Sequence, residues 1–391
     1  MGEKILLLSG PFGEGHKQAA QALLETCKLA RPDAESVLID FMEWTLPRLH
    51  GISKAVFHRG IQAFPSVYGY LYQHTKKVKP TGSLHVRLRW YGMRRIVKLL
   101  EDVAPTVVVS TFPSAAAAVS DLKMAGLTDI PAVTVITDHT DHRFWVHPGT
   151  DLYVVGSEKV RRGLIALGVE ECRIKVTGIP IRPTFDPRSS PRRDIRHKLG
   201  LDAHKPVLLL MGGGYGMMHD GMIRLMRGAA QSGQVQVVVI CGHNQKLRSR
   251  LEADLDDEVR RNTIQLTGFV TNMEQYMSAS DLVVTKAGGL TTSEAIAMRL
   301  PMVLYRPLPG QEEDNADFLT KANVAIRATD DTQLERLVMT LLARPGRLAA
   351  MRRHMDQLHM ERASFRALEE IFAARSAPAA QWRATAVRVG L

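Results

Sequence analysis

The chain has 391 residues, more than one ordinary hydrophobic core accommodates, so two domains are expected. Its hydrophobic fraction of 45% is that of a folded protein, and Cys27, Cys172 and Cys241 form no CxxC pair, which excludes a sequence-evident zinc site and suggests a reducing compartment. The formal net charge of +11 suits an acidic partner such as nucleic acid, anionic lipid or a phosphorylated substrate.

In chain order, the first apolar run is Ile5–Leu8. It is too short for the apolar core of a signal peptide and reads as a strand. It runs into Ser9-Gly10-Pro11-Phe12-Gly13-Glu14-Gly15-His16, ahead of an Ala- and Leu-rich helix. Glycines here let the backbone turn tightly and approach a ligand. One reading is a dinucleotide fingerprint, with Asp40 as the ribose acid after the second strand, but Gln18 stands where the third glycine belongs. The other makes His16, at the start of the helix, a functional group.

Further strands are expected at Val37–Asp40, Thr106–Ser110, Ala132–Thr137 and Leu152–Val155, separated by segments long enough for crossover helices. That alternation predicts a parallel sheet covered on both faces. Between Glu43 and Glu101 there is no acidic residue, while eleven basic ones occur, Lys76, Lys77 and Lys79 among them, mixed with aromatics from Trp44 to Tyr91. This stretch suits an anionic membrane interface or, equally, a solvated basic face over a partly aromatic core. No nucleic-acid motif accompanies it. No segment approaches the ~20 apolar residues that cross a bilayer.

Four prolines between Gly178 and Asp194 mark a linker. Strands then resume at Val207–Met211, Val235–Cys241, Ile264–Leu266, Leu282–Thr285 and Met302–Tyr305. The expected organisation is an α/β domain over 1–180, a linker over 181–194, a second α/β domain over 195–355 and a helical tail over 356–391. Two such domains would leave a ligand cleft between them.

Three loops of the second domain are candidate ligand loops. Gly212-Gly213-Gly214 exposes amides to a diphosphate. Thr285-Lys286-Ala287-Gly288-Gly289 leads into Thr291-Thr292-Ser293-Glu294, where Glu294 either caps the helix from capping-box spacing with Thr291 or holds a ribose diol. Pro309-Gly310 turns into Gln311-Glu312-Glu313-Asp314-Asn315, where Gln311, Glu312 and Asn315 are assigned to a polyhydroxylated ligand and Glu313 and Asp314 to a solvated acidic loop. Asp254-Leu255-Asp256 has the spacing of a metal-dependent transferase, but its charged helical setting favours a solvated face. The order of His139, Asp141, His142 and His147 fits no standard metal site.

Taken together, Gly13-x-Gly15-His16, Lys286-Ala-Gly-Gly with Glu294, and Pro309-Gly-Gln-Glu with Asn315-Ala316 resemble the diacylglycerol glycosyltransferase family. That family contains monogalactosyldiacylglycerol synthase and the bacterial processive diacylglycerol glucosyltransferases. Phe144–His147, Thr177–Pro183 and Gln234–Gly242 extend the similarity over nearly the whole chain. The resemblance implies a GT-B fold, two Rossmann-like domains whose parallel sheets face a central cleft. It implies an inverting transfer of glucose or galactose from a UDP-sugar to diacylglycerol, without a metal or other cofactor, at the cytoplasmic face of the membrane. Gly213 and Gly214 would face the diphosphate, Phe269 and Val270 would line the uracil pocket, and Gly288 and Gly289 would belong to the donor-binding set. Glu294 would hold the ribose, and Gln311 and Glu312 the sugar hydroxyls, with Asn315 in the same donor-binding set. The more distant lipid II N-acetylglucosaminyltransferases carry two glutamines where Gln311 and Glu312 stand, which argues against an N-acetylglucosamine donor. Gly13 and Gly15 belong to the acceptor loop, and His16 and Asp138 are the two candidates for general base. A UDP-sugar epimerase and a non-catalytic binder of anionic membranes stay open as alternatives.

Overall fold

The computed structural model describes residues 2–10, 14–45, 83–214 and 216–376. Gly13, Lys76, Lys77 and Lys79 lie outside the described residues. The chain divides into two compact units, Met1–Pro183 with Arg362–Leu391, and Thr184–Glu361.

The first unit holds a parallel sheet of β1 (Lys4–Ser9), β2 (Glu35–Asp40), β3 (Val107–Ser110), β4 (Ala132–Val135), β5 (Leu152–Val155) and β6 (Ile174–Val176), in the order β2-β1-β3-β4-β5-β6. Alternation along the strands builds a core on each face, because successive side chains point to opposite sides. Ile5, Leu7, Val107 and Val109 pack with Leu23 and Cys27 of the Glu14–Ala30 helix and with Ala367, Leu368 and Ile371 of the Ala363–Ser376 helix. Leu6, Leu8 and Val108 face the other way, onto Met93, Ile96 and Leu99 of the Ser83–Val103 helix and Val119 and Leu122 of the Pro113–Met124 helix. Trp44 and Arg95 of the basic, aromatic stretch bond within this structure. Trp44 packs against that second core and its indole N–H donates to the Arg95 carbonyl at 3.1 Å, while Arg95 reaches the Thr45 carbonyl at 3.4 Å. These two therefore act as packing groups.

The second unit repeats the plan with β7 (Val207–Met211), β8 (Gln236–Ile240), β9 (Ile264–Thr267), β10 (Leu282–Thr285), β11 (Met302–Tyr305) and β12 (Ala325–Ala328), in the order β12-β11-β10-β7-β8-β9. Leu208, Leu210, Val237, Val239 and Val284 form its core with Leu225 and Met226 of the Asp220–Gln231 helix and with Leu334 and Val338 of the Asp331–Leu342 helix.

Both sheets are all-parallel and doubly wound, so each has one place where neighbouring strands send their connections to opposite sides. Ligands of such sheets bind there, beyond the carboxyl ends of the strands. In the first unit that place is between β1 and β3, and in the second between β7 and β10. The strands absent from the sequence reading, β6 and β12, are both edge strands. Each is short and carries a cation, Lys175 or Arg327, as edges do, so neither shows the continuous apolar run of a central strand.

Candidate functional site

In the second unit the decisive loops are those after β7 and β10. The β7 loop folds tightly: the Gly216 amide donates to the Gly213 carbonyl at 2.9 Å, and the His243 amide donates to the Gly214 carbonyl at 2.9 Å, which ties the β8 loop alongside. Gly216 has φ 58°, and a Cβ on it would sit 1.9 Å from the Cys241 carbonyl oxygen, so only glycine fits. Gly213 is different. Its φ is 73°, but a Cβ would meet only Lys286 Cε, at 3.9 Å. Its outer face is thus open toward Lys286, across the switch point.

Lys286 follows β10 directly. Its ammonium lies 3.1 Å from Glu312 Oε1, and Glu312 Oε2 accepts the Leu308 amide at 2.8 Å. The two side chains are only 10% and 13% accessible, so each charge depends on the other. Asn315 is fully buried and donates to the Ala287 carbonyl at 2.8 Å, which fastens the Gln311–Lys321 helix to the same loop. Gly288 is the N-cap of the Gly289–Ala297 helix. Thr291 and Glu294 therefore both lie inside the helix, and the capping-box alternative for Glu294 falls away. Glu294 is buried in the helix's second turn, and Gln311 opens the next helix, half-buried. Glu313 corrects an expectation: it is no solvated loop residue but sits in a helical turn and grips Arg327 bidentately, at 2.6 and 2.8 Å.

The β9 loop supplies Phe269 and Val270. Phe269 is 44% exposed and lies flat on the His243 ring, centroids 4.3 Å apart and planes 11° from parallel. An exposed aromatic face backed by a second ring is a stacking platform for a base. His243 and Lys286 are the contributions that the sequence reading left unassigned. Lys286 was legible as part of its motif, whereas His243 is brought to Phe269 only by the pairing of β8 with β9. The Asp254 and Asp256 carboxylates face solvent on helices and pair with Arg227, Arg250 and Arg260.

In the first unit the β1–β3 switch point holds His16, the third residue of the Glu14–Ala30 helix, and Gly15 precedes it. The Thr111 hydroxyl donates to the His16 carbonyl at 2.9 Å, and His16 Nδ1 is 3.0 Å from the Thr137 hydroxyl. The imidazole lies edge-on to Phe112 at 5.5 Å and near Trp145 at 6.0 Å. Burial among these groups pushes its pKa down to about 4, against a hydrogen bond to the Thr111 backbone that raises it. Asp138 follows Thr137 in the same loop, three residues beyond β4, and is buried. Asp40 accepts the Met42 and Glu43 amides through Oδ1, at 3.0 and 3.2 Å, at the start of the Phe41–Thr45 helix.

Similarity to known proteins follows the same division. Residues 16–181 match the family model of monogalactosyldiacylglycerol (MGDG) synthase, and residues 220–365 that of the glycosyltransferase family 28 C-terminal domain. The processive diacylglycerol beta-glucosyltransferases of Bacillus pumilus and Bacillus subtilis are each 30% identical to the chain, over 369 and 373 residues, covering 94% of both partners. The chain belongs to this family of glycosyltransferases. Solved structures agree on the fold. MurG of Acinetobacter baumannii aligns with a TM-score of 0.62 at 16% identity, covering 95% of this chain and 100% of its own. HepE of Anabaena, solved with UDP, aligns at 0.56 and 17% identity, covering 95% and 98%. A UDP-N-acetylglucosamine 2-epimerase aligns at 0.60 and 15% identity, covering 95% of each. The GT-B architecture is thus shared by transferases and epimerases, and it is the family sequence that makes this chain a hexosyltransferase. Among the described residues no helix is long and apolar enough to cross a membrane.

Proposed function

We propose that the protein transfers glucose from UDP-glucose to diacylglycerol with inversion at the anomeric carbon, working as a peripheral protein on an anionic membrane surface. The observation that carries this reading is the meeting of the Gly213 loop, Lys286 and Glu312 at the second unit's switch point. A diphosphate there meets loop amides, the N-terminus of the Gly289–Ala297 helix and the Lys286 ammonium. That ammonium has three N–H groups and gives one to Glu312, so others are free to turn to phosphate oxygens. The Glu312 oxygens keep lone pairs for sugar hydroxyls, beside Gln311. Glu294 serves the ribose, and Phe269 with Val270 and His243 the uracil. Asn315 acts one step back, by holding the Lys286 loop in place.

The acceptor hydroxyl attacks the anomeric carbon and forms the new C–O bond as the bond to UDP breaks. His16 or Asp138 of the first unit takes the hydroxyl proton. UDP leaves as an anion stabilised by fixed dipoles and Lys286, a role that needs no divalent cation. Glucose is favoured over galactose because the relatives at 30% identity are glucosyltransferases by name. Incubation with labelled UDP-glucose or UDP-galactose and diacylglycerol, read by thin-layer chromatography, tests the reading. A labelled glycolipid from UDP-glucose supports it. A changed UDP-sugar formed without lipid would establish the epimerase instead.

A further inference from the structure

At the opposite pole of the second unit, where β7 and β10 begin, lies a cavity of about 330 Å³ lined by Arg192, Arg193, Arg196, His204, Lys205 and Asp281 among others. Its floor is built. Arg196 is buried and donates to the carbonyls of Ala279 at 2.9 Å, Ala203 at 3.2 Å and Lys205 at 3.1 Å, and to Asp281 Oδ2 at 2.8 Å. Arg192 reaches Asp281 Oδ1 at 2.7 Å, and the Val207 amide also donates to this carboxylate, at 2.8 Å. Arg352 lies 3.9 Å from the same Oδ1, so one carboxylate serves three guanidinium groups and an amide, and its charge is spent on the floor.

The rim is not compensated in this way. The side chains of Arg193 and Lys205 are exposed and make no hydrogen bond or ion pair with any described residue. Beside the rim, Asp202 accepts the amides of His204 and Lys205 through one oxygen, at 2.7 and 2.9 Å. The lining of the concavity thus holds Arg192, Arg193, Arg196 and Lys205 with Asp281 as its carboxylate. Burial lowers the Arg196 pKa, the neighbouring Arg192 charge adds to that, and Asp281 opposes both.

We propose that this cavity is a second anion site, separate from the donor loops, that takes a phosphate mono- or diester. Such a group fits because Arg offers paired N–H donors to phosphate oxygens and Lys adds a mobile point charge. The ligand is either a soluble phosphate ester or the headgroup phosphate of a lipid, and the cavity chemistry is the same for both.

The test uses the whole protein saturated with UDP, so that the donor loops are filled. One arm titrates sn-glycerol 3-phosphate by calorimetry. The other measures co-sedimentation with phosphatidylglycerol vesicles against phosphatidylcholine vesicles. Both are repeated with Arg193→Glu/Lys205→Glu and with the milder Arg193→Gln/Lys205→Gln, after melting curves confirm the wild-type fold. Affinity should fall about tenfold or more in the charge-reversed variant, and less in the neutral one. Loss in the titration alone identifies a soluble ester, and loss of phosphatidylglycerol binding identifies a headgroup. If wild type and both variants behave alike in both arms, the site does not exist.

Discussion

At the smallest scale the proposed general base is His16 or Asp138. An ordinary histidine titrates near pH ~6.5 and would be the better base at neutral pH. Burial against Phe112 and Trp145 removes that advantage from His16, whose pKa of about 4 lies in the range of a common carboxylate. The ring is neutral at pH 7 and able to accept a proton, but without the basicity of an ordinary histidine. Substitution separates the two residues. His16→Ala and Asp138→Asn should each leave UDP affinity nearly unchanged, since neither belongs to the donor unit, and loss of the true base should lower kcat by ~100-fold or more. Near-normal kcat in His16→Ala with an inactive Asp138→Asn makes Asp138 the base, and unchanged kcat in both removes the acceptor-site assignment. Glu294 poses a simpler question, because its place within the Gly289–Ala297 helix excludes a capping role. Glu294→Ala should weaken UDP binding by ~1–3 kcal/mol, the usual range for charge-assisted bonds. A calorimetric titration showing wild-type affinity would remove the ribose contact.

At the level of elements, the glycines after β7 separate fold from function. Gly216→Ala drives a methyl into the Cys241 carbonyl and should lower the melting temperature strongly. Gly213→Ala meets no clash, so it should cost only the left-handed backbone penalty of roughly 1–2 kcal/mol. Its methyl would nonetheless stand on the face proposed for the diphosphate, toward Lys286, and UDP affinity should fall well beyond that stability loss. Equal effects of both substitutions on stability and binding would contradict the open face at Gly213. How far the sequence was readable follows from the same elements. Central strands such as β5, β7, β10 and β11 are runs of apolar residues buried on both faces, and their bounds follow from sequence alone. The edge strands β6 and β12, with Lys175 and Arg327, carry no such signal. Asn315 was placed on the ligand, whereas burial makes it a tie between helix and loop, and only tertiary packing distinguishes the two. His243 was invisible because its partner Phe269 is distant in the chain.

For the whole molecule, the claims are membrane attachment and catalysis. The acid-free segment between Glu43 and Glu101 should bind anionic vesicles, each surface cation contributing about 1 kcal/mol, with binding rising with phosphatidylglycerol content and falling with salt. Trp44 and Arg95 are spent on packing, so Lys76, Lys77 and Lys79 are the residues to reverse. Vesicle binding that ignores lipid charge would leave this stretch a solvated face. The central claim is the transfer itself, and turnover of labelled UDP-glucose with diacylglycerol in excess EDTA tests it most directly. The account predicts a labelled glucosyl-diacylglycerol that EDTA does not suppress. A glycolipid formed only when magnesium or manganese is restored would contradict the metal-free mechanism, and no glycolipid under either condition would contradict the function.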